Sequence, residues 1–227
     1  MGLFFNRFTR EPKKEIDVNA PPKQGIALFF SVLLHEFWEL IKLNLIFILF
    51  CLPVVTIPIA ITAMSKVILL MLMDKPFFVF GEFIAAFKAE WKRATVAGLV
   101  FFLSLAAALY GVLVYAYIME IFFLHSCAIM LCIIFITAGF YLFPMLALLD
   151  IGLKGAFKNA ALLVLLRLPY NFLTLLTVAS LLLLILIFFP TSIMLVFLIF
   201  FALINLITTF CAYTGIKKFV IKEDQMT

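Results

Sequence analysis

The stretch "LNLIFILFCLPVVTIPIAITAMSK", residues Leu43 to Lys66, decides how the chain is read. Pro53 and Pro58 interrupt an apolar run that is otherwise too long for one bilayer crossing. A single helix from Leu43 to Met73 would run about 45 Å, well past a hydrocarbon core of about 30 Å, and each proline would remove a backbone donor from its middle. The stretch therefore predicts two helices joined by a "PVVTIP" turn at the membrane surface. Pro53, Thr56 and Pro58 are its turn residues. Val54, Val55, Thr56 and Ile57 favour extended backbone there, and a residue before proline avoids the helical region.

The rest of the chain has the composition that this hairpin needs. Of 227 residues, 67% are hydrophobic and 13% charged, and 29 are Phe. Mean hydropathy is +1.27. Soluble domains are roughly half apolar, so the chain reads as an integral membrane protein. Residues 1–25 are polar, with no sustained apolar run, so no cleaved signal peptide is expected and the insertion signal lies in the first span. "MGLFFN" has Asn6 where a myristoylation site wants Ser or Thr, which argues against a lipid anchor. Cys51, Cys127, Cys132 and Cys211 lack paired metal-finger spacing and read as free thiols in apolar runs.

Charge and proline boundaries divide the chain into six spans. The first runs from about Ile26 to Cys51 or Leu52, the second from Ile59 to Met73, and the third from Ala94 to Ile118. The fourth runs from Ala128 to Leu149, the fifth from Tyr170 to Phe189, and the sixth from Ser192 to Tyr213. The predicted fold is an all-α, polytopic membrane helix bundle. Residues 1–25 form a polar cytoplasmic segment, 26–214 the six-helix transmembrane domain, and 215–227 a cytoplasmic tail. The net charge of +5 is not spread as on a nucleic-acid-binding face. Lys and Arg fall in the N-terminal segment and after the second, fourth and sixth spans, whereas the turns after the first, third and fifth contain none. Under the positive-inside rule both termini are cytoplasmic.

Two connections on the basic side are longer than turns. In "FFVFGEFIAAFKAEWKR", Phe80, Phe83, Ile84, Phe87 and Trp91 recur at helical steps with Glu82, Lys88, Glu90 and Lys92 between them, which predicts an interfacial elbow helix. "DIGLKGAFKNAALLVLL" predicts a second elbow, with Asp150 as its N-cap.

These blocks carry a resemblance. "LNLIFILFCLPVVTIPIAITAM", "FIAAFKAEWKRAT" and "FYLFPMLALLDIGLKGAFKNAALL" resemble the YesL family of bacterial membrane proteins, a domain of unknown function. Asn44 to Thr56 is the most specific part. Family members usually have glycine after "LPVVT", where this chain has Ile57-Pro58, so a stiffer turn is expected. The resemblance implies a bacterial plasma membrane and a setting beside carbohydrate-uptake ABC transporters, whose subunits become the expected partners along with the lipid bilayer. It implies no activity.

The residues themselves offer few chemical centres. "HEFWEL" begins like a zinc-protease helix at His35 and Glu36, but Glu39 stands where the second histidine is required. The plainer reading is a polar stripe of His35, Glu39 and Lys42 on one helix face, with Glu39 and Lys42 neutralising each other. An ion relay is the functional alternative. Met119, His125, Cys127, Met130 and Cys132 are soft ligands close in sequence, but their spacing matches no metal site, so no metal or cofactor is expected. Leu166-Arg167-Leu168-Pro169 has the shape of the coupling loop of ABC-importer permeases but is one residue too far from Gly155. There is no Gly-rich phosphate loop, serine-nucleophile motif or paired-carboxylate site. The best intramembrane candidates are Asn44 and Lys66, which lie about 12 to 14 Å from the outer turn on the two arms of the hairpin and are expected to pair, with Glu39 as countercharge. The functional expectation is a non-enzymatic accessory or regulatory partner of carbohydrate uptake. The alternative is a small-solute transporter using the polar residues of the first two spans.

Overall fold

The computed structural model describes residues 25–118 and 122–220, and every regular element among them is helical. Five helices are long and apolar enough to cross a membrane: Val54–Leu72, Trp91–Tyr117, Phe122–Leu148, Leu168–Ile187 and Ile193–Phe219. They mark the chain as an integral membrane protein.

The proline-rich stretch forms a hairpin. Helix α2 (Phe37–Phe50) and helix α3 (Ile57–Leu72) flank it. Between them Val54–Thr56 winds as a 3₁₀ turn where extended backbone was expected. The Thr56 hydroxyl accounts for this, because it reaches the Phe50 carbonyl at 2.5 Å and the Pro53 carbonyl at 2.6 Å and so curls the β-branched run inward. Pro58 is the second residue of α3, a position whose N–H has no intrahelical acceptor, so its missing donor costs nothing.

The predicted first span is two helices. α1 (Ile26–His35) ends where Glu36 leaves helical geometry at φ −103°, ψ 21°, and α2 starts at Phe37. α1 leans on the far end of the chain through the edge of Phe29 against Phe210, 5.5 Å between ring centres.

Both elbow segments are separate helices. α4 (Val79–Ala89) turns at Glu90 into α5 (Trp91–Leu113), which continues as a π-turn over Val114–Ile118. Phe83 and Phe87 of α4 close over Phe50, with ring centres 5.3 and 5.0 Å away. α6 (Phe122–Leu148) starts well before the predicted Ala128. α7 (Leu153–Leu166) has Gly152 at its N-cap position instead of Asp150, whose carboxylate lies 3.0 Å from Arg93. α8 (Leu168–Ile187) follows α7 after the single residue Arg167. The last span comprises α9 (Ile193–Leu195), a π-turn over Val196–Phe200 and α10 (Phe201–Phe219). Lys217 and Lys218 lie in the last turn of α10, past the predicted end at Tyr213, where cations favour the helix C-terminus.

Helices in lipid gain little from the hydrophobic effect and associate by close packing and hydrogen bonds. α3 is the centre of that packing. It contacts α4, α5, α6 and α10, and its face from Ile59 to Leu72 is nearly all buried. α5 approaches so closely that a Cβ on Gly98 would lie 2.2 Å from Pro58 Cβ. One buried cluster joins α2, α3 and α4 to the start of α10 through Leu43, Met64, Ile68, Phe83 and Leu206. The other joins α6 and α7 to its end through Tyr141, Met145, Leu163, Ala212 and Ile216.

Candidate functional site

An apolar bundle concentrates its chemistry in whatever polar side chains it buries. Asparagines on three different helices, Asn44, Asn171 and Asn205, are each nearly or fully buried, and each anchors one polar node.

Asn44, on α2, faces the π-turn before α10. Its Nδ2 donates to the carbonyls of Val196 (3.1 Å) and Phe197 (2.7 Å), and its Oδ1 accepts from the Ala202 N–H (3.0 Å). A π-turn shifts the helix ladder and frees backbone groups, and in hydrocarbon such groups must find another partner. The Asn44 amide supplies both a donor and an acceptor to them.

Asn205, on α10, faces α3. Its Oδ1 accepts from Ser65 Oγ at 3.0 Å and Thr209 Oγ1 at 2.7 Å, and its Nδ2 makes a long 3.5 Å contact to the Ile61 carbonyl. Asn171, at the start of α8, accepts a short hydrogen bond from the Tyr141 hydroxyl and donates to the Val164 carbonyl at 2.8 Å. Beside it Arg167 is 7% exposed, and its Nη1 donates to the Cys211 carbonyl (2.5 Å) and Thr214 Oγ1 (3.0 Å), with the guanidinium 4.5 Å from the Tyr170 ring centre. Among the described residues Arg167 has no carboxylate partner.

The fourth node is charged and gathers around the end of α6. Lys66 Nζ donates to the Ala147 carbonyl at 3.1 Å. Arg93 Nη2 donates to the carbonyls of Leu149 (3.2 Å) and Ile151 (2.7 Å), while its Nη1 bridges Glu90 (3.4 Å) and Asp150 (3.0 Å). Two cations thus complement the negative end of a long helix. Glu90 Oε2 is buried without a hydrogen bond. Burial raises the Glu90 carboxyl above the usual carboxylate range; Arg93 opposes this, Asp150 adds to it and Lys66 opposes it.

The expected pairing of Asn44 with Lys66 is corrected by these contacts. Asn44 points to the last span and Lys66 to the end of α6, each held by backbone groups there. Glu39 does not serve Lys66 either, since it holds Lys42 at 2.6 Å on an exposed face. His35 closes α1 with Nδ1 2.9 Å from the Ser31 carbonyl, one residue before the break that separates it from Glu39 and Lys42. Of the soft ligands, His125 Nδ1 lies 3.2 Å from the Val112 carbonyl, Cys132 is buried, and Cys127 and Met130 are exposed; Met119 lies outside the described residues. Among the described residues no three His, Cys, Asp or Glu side chains converge as a metal site.

Sequence reasoning missed Asn171, Asn205, Tyr141, Arg167 and Glu90. The signal was present: an asparagine in the middle of an apolar run is as conspicuous at 171 and 205 as at 44.

Residues 40–112 match the model of a family described as a protein of unknown function, DUF624. The match covers α2 through α5, with Asn44, Ser65, Lys66, Glu90 and Arg93, and agrees with the resemblance drawn from the hairpin to a family without known activity. Neither the search of curated proteins nor that of solved structures returns a match.

Proposed function

We propose that this chain is a six-span protein of the bacterial plasma membrane, with both termini in the cytoplasm, that acts without catalysis as an accessory or regulatory partner of a carbohydrate-uptake ABC transporter. The observation that carries the reading is the uneven burial of its spans. The Val54–Leu72 span is 61% buried, whereas the Leu168–Ile187 span is 17% buried and leaves a broad apolar surface for a neighbour in the bilayer. The resemblance to the YesL family supplies the transporter as that neighbour. The polar groups of the first two spans favour this reading over solute transport, because Asn44, Ser65 and Lys66 are tied to backbone or side-chain partners within the bundle.

The sixth crossing is α1 with α2, and α4 and α7 lie in the inner interface. Basic residues at the C-terminal sides of α3, α6 and α10 and at the N-terminal sides of α5 and α8 support this placement, since moving cationic loops outward is disfavoured during insertion. A reporter fused at Thr227 is expected to read as cytoplasmic and one at Thr56 as external. A cysteine at Lys88 is expected to react with a water-soluble thiol reagent from the cytoplasmic side alone.

The partner is tested by photo-crosslinking from Leu176 of α8 in native membranes, followed by purification in mild detergent and mass spectrometry. Crosslinked ABC-transporter subunits are the expected result. A chain that crosslinks to lipid alone, and that moves a labelled sugar after purification into liposomes, would overturn the reading in favour of transport.

A further inference from the structure

A cleft of about 290 Å³ lies beside α3, between α5, α6 and α10. Phe47, Phe101, Phe140 and Phe143 wall it, and Phe102 and Phe201, 40% and 37% exposed, line its open mouth. Ser65, Asn205 and Thr208 give this aromatic cleft one polar side.

The polar side has a donor to spare. The Asn205 Oδ1 accepts from Thr209 at 2.7 Å and shares the Ser65 hydroxyl, 3.0 Å away, with the Ile61 carbonyl, which places its nitrogen opposite them. That nitrogen carries two N–H groups and has the single long contact to Ile61. Asn205 is 7% exposed and lines the cleft, and among the described residues nothing else accepts from it. Thr208 does not, because its hydroxyl turns back to the Ile204 and Asn205 carbonyls, both 3.1 Å away. A buried amide donor without a good acceptor is unfavourable in hydrocarbon, and a ligand oxygen would satisfy it.

Depth narrows what can bring that oxygen. Ser65 stands eight residues after Ile57 and seven before Leu72, about 12 and 10 Å from the two ends of α3. Phospholipid ester groups stay at the faces of the roughly 30 Å core, so the acceptor must sit on a molecule that dissolves in the core itself. The cleft is close to the lower limit of about 300 Å³ for small-molecule sites, enough for one substituted ring with its tail leaving through the mouth. Aromatic faces are electron-rich and stack well on an electron-poor ring.

We propose that this cleft binds a prenylated quinone, the ring held among the Phe side chains and one carbonyl oxygen accepting from Asn205 Nδ2. The site does not depend on the transporter-partner reading, because it lies inside the bundle and apart from the exposed face of α8.

The test is isothermal titration of decylubiquinone into the full chain in lipid nanodiscs, with decylbenzene as a probe of similar tail and ring but no carbonyl. Saturable binding at one site per chain is expected, with decylbenzene at least tenfold weaker. Asn205→Leu should weaken decylubiquinone at least tenfold. Leu105→Trp, which fills the cleft while keeping the Ser65–Asn205–Thr209 hydrogen bonds, should abolish binding. Absence of saturable binding to folded protein, equal affinity for decylbenzene, or unchanged affinity in Leu105→Trp would each overturn the proposal. Wild-type affinity in a folded Asn205→Leu would likewise overturn it and mark a plain acyl-chain groove. Should Asn205→Leu not fold, the two-probe comparison and Leu105→Trp decide alone.

Discussion

The spans Val54–Leu72 and Leu168–Ile187 are equally apolar, with mean hydropathies of 2.1 and 2.3, yet 61% of one and 17% of the other is buried. The difference lies in side-chain size and polarity. α3 carries Pro58, Ala60, Thr62, Ala63 and Ser65 on its buried face, small residues that let α5 and α10 come close. α8 is Leu-rich and meets the bundle through Asn171, Thr174 and Val178, with nothing buried beyond Val178. Being apolar does not bring a helix inside a membrane protein, because lipid is apolar as well. Small and polar residues do so, by close contact and by hydrogen bonds.

If polar pins hold the central helices, breaking one should cost most. Asn44→Leu removes the hydrogen bonds to two carbonyls and one N–H of the last span, and is expected to lower stability in detergent by about 2–4 kcal/mol in a thermal or SDS unfolding assay. An unchanged transition would break the contrast at its strongest point. Gly98→Ala should cost about 1–3 kcal/mol, since the new methyl meets the rigid Pro58 ring. Gly111→Ala, where the nearest atoms are 3.8 Å away, is the control and should be near neutral.

A smaller effect is expected from Glu90, through pH. Its carboxyl is held above the ordinary value of 4.5, so the folded state favours the protonated form. Its contribution is fully present below that ordinary value and is lost as pH rises through the raised one. Glu90→Gln should flatten the fall in unfolding temperature above pH 4.5 and leave the protein at least as stable as wild type at pH 8. The least effect is expected on α8. Leu183 is 59% exposed, and Leu183→Ala should stay within about 0.5 kcal/mol of wild type in the same assay.

What was legible in the sequence follows from what is local. Pro53 and Pro58 mark the hairpin, and charges bound the separate helices α4 and α7, because each signal acts within a turn of its own position. The positions of Asn44 and Lys66 on the two arms of the hairpin were legible too, being a count along the chain. Their partners were not, because they depend on which neighbour each helix face meets and on the π-turn near Val196, which no local pattern announces. The 3₁₀ turn escaped for a similar reason: a single hydroxyl, on Thr56, overrides the extended preference of its β-branched neighbours.

The most direct test of the account is carbene labelling of the purified protein in liposomes by a diazirine-bearing lipid, with modified residues located by mass spectrometry. The account predicts adducts along α8 at Leu176, Leu183 and Leu186, and none at Met64, Val67 or Ile68 of α3. Labelling of those three α3 residues at the level seen on α8 would contradict it.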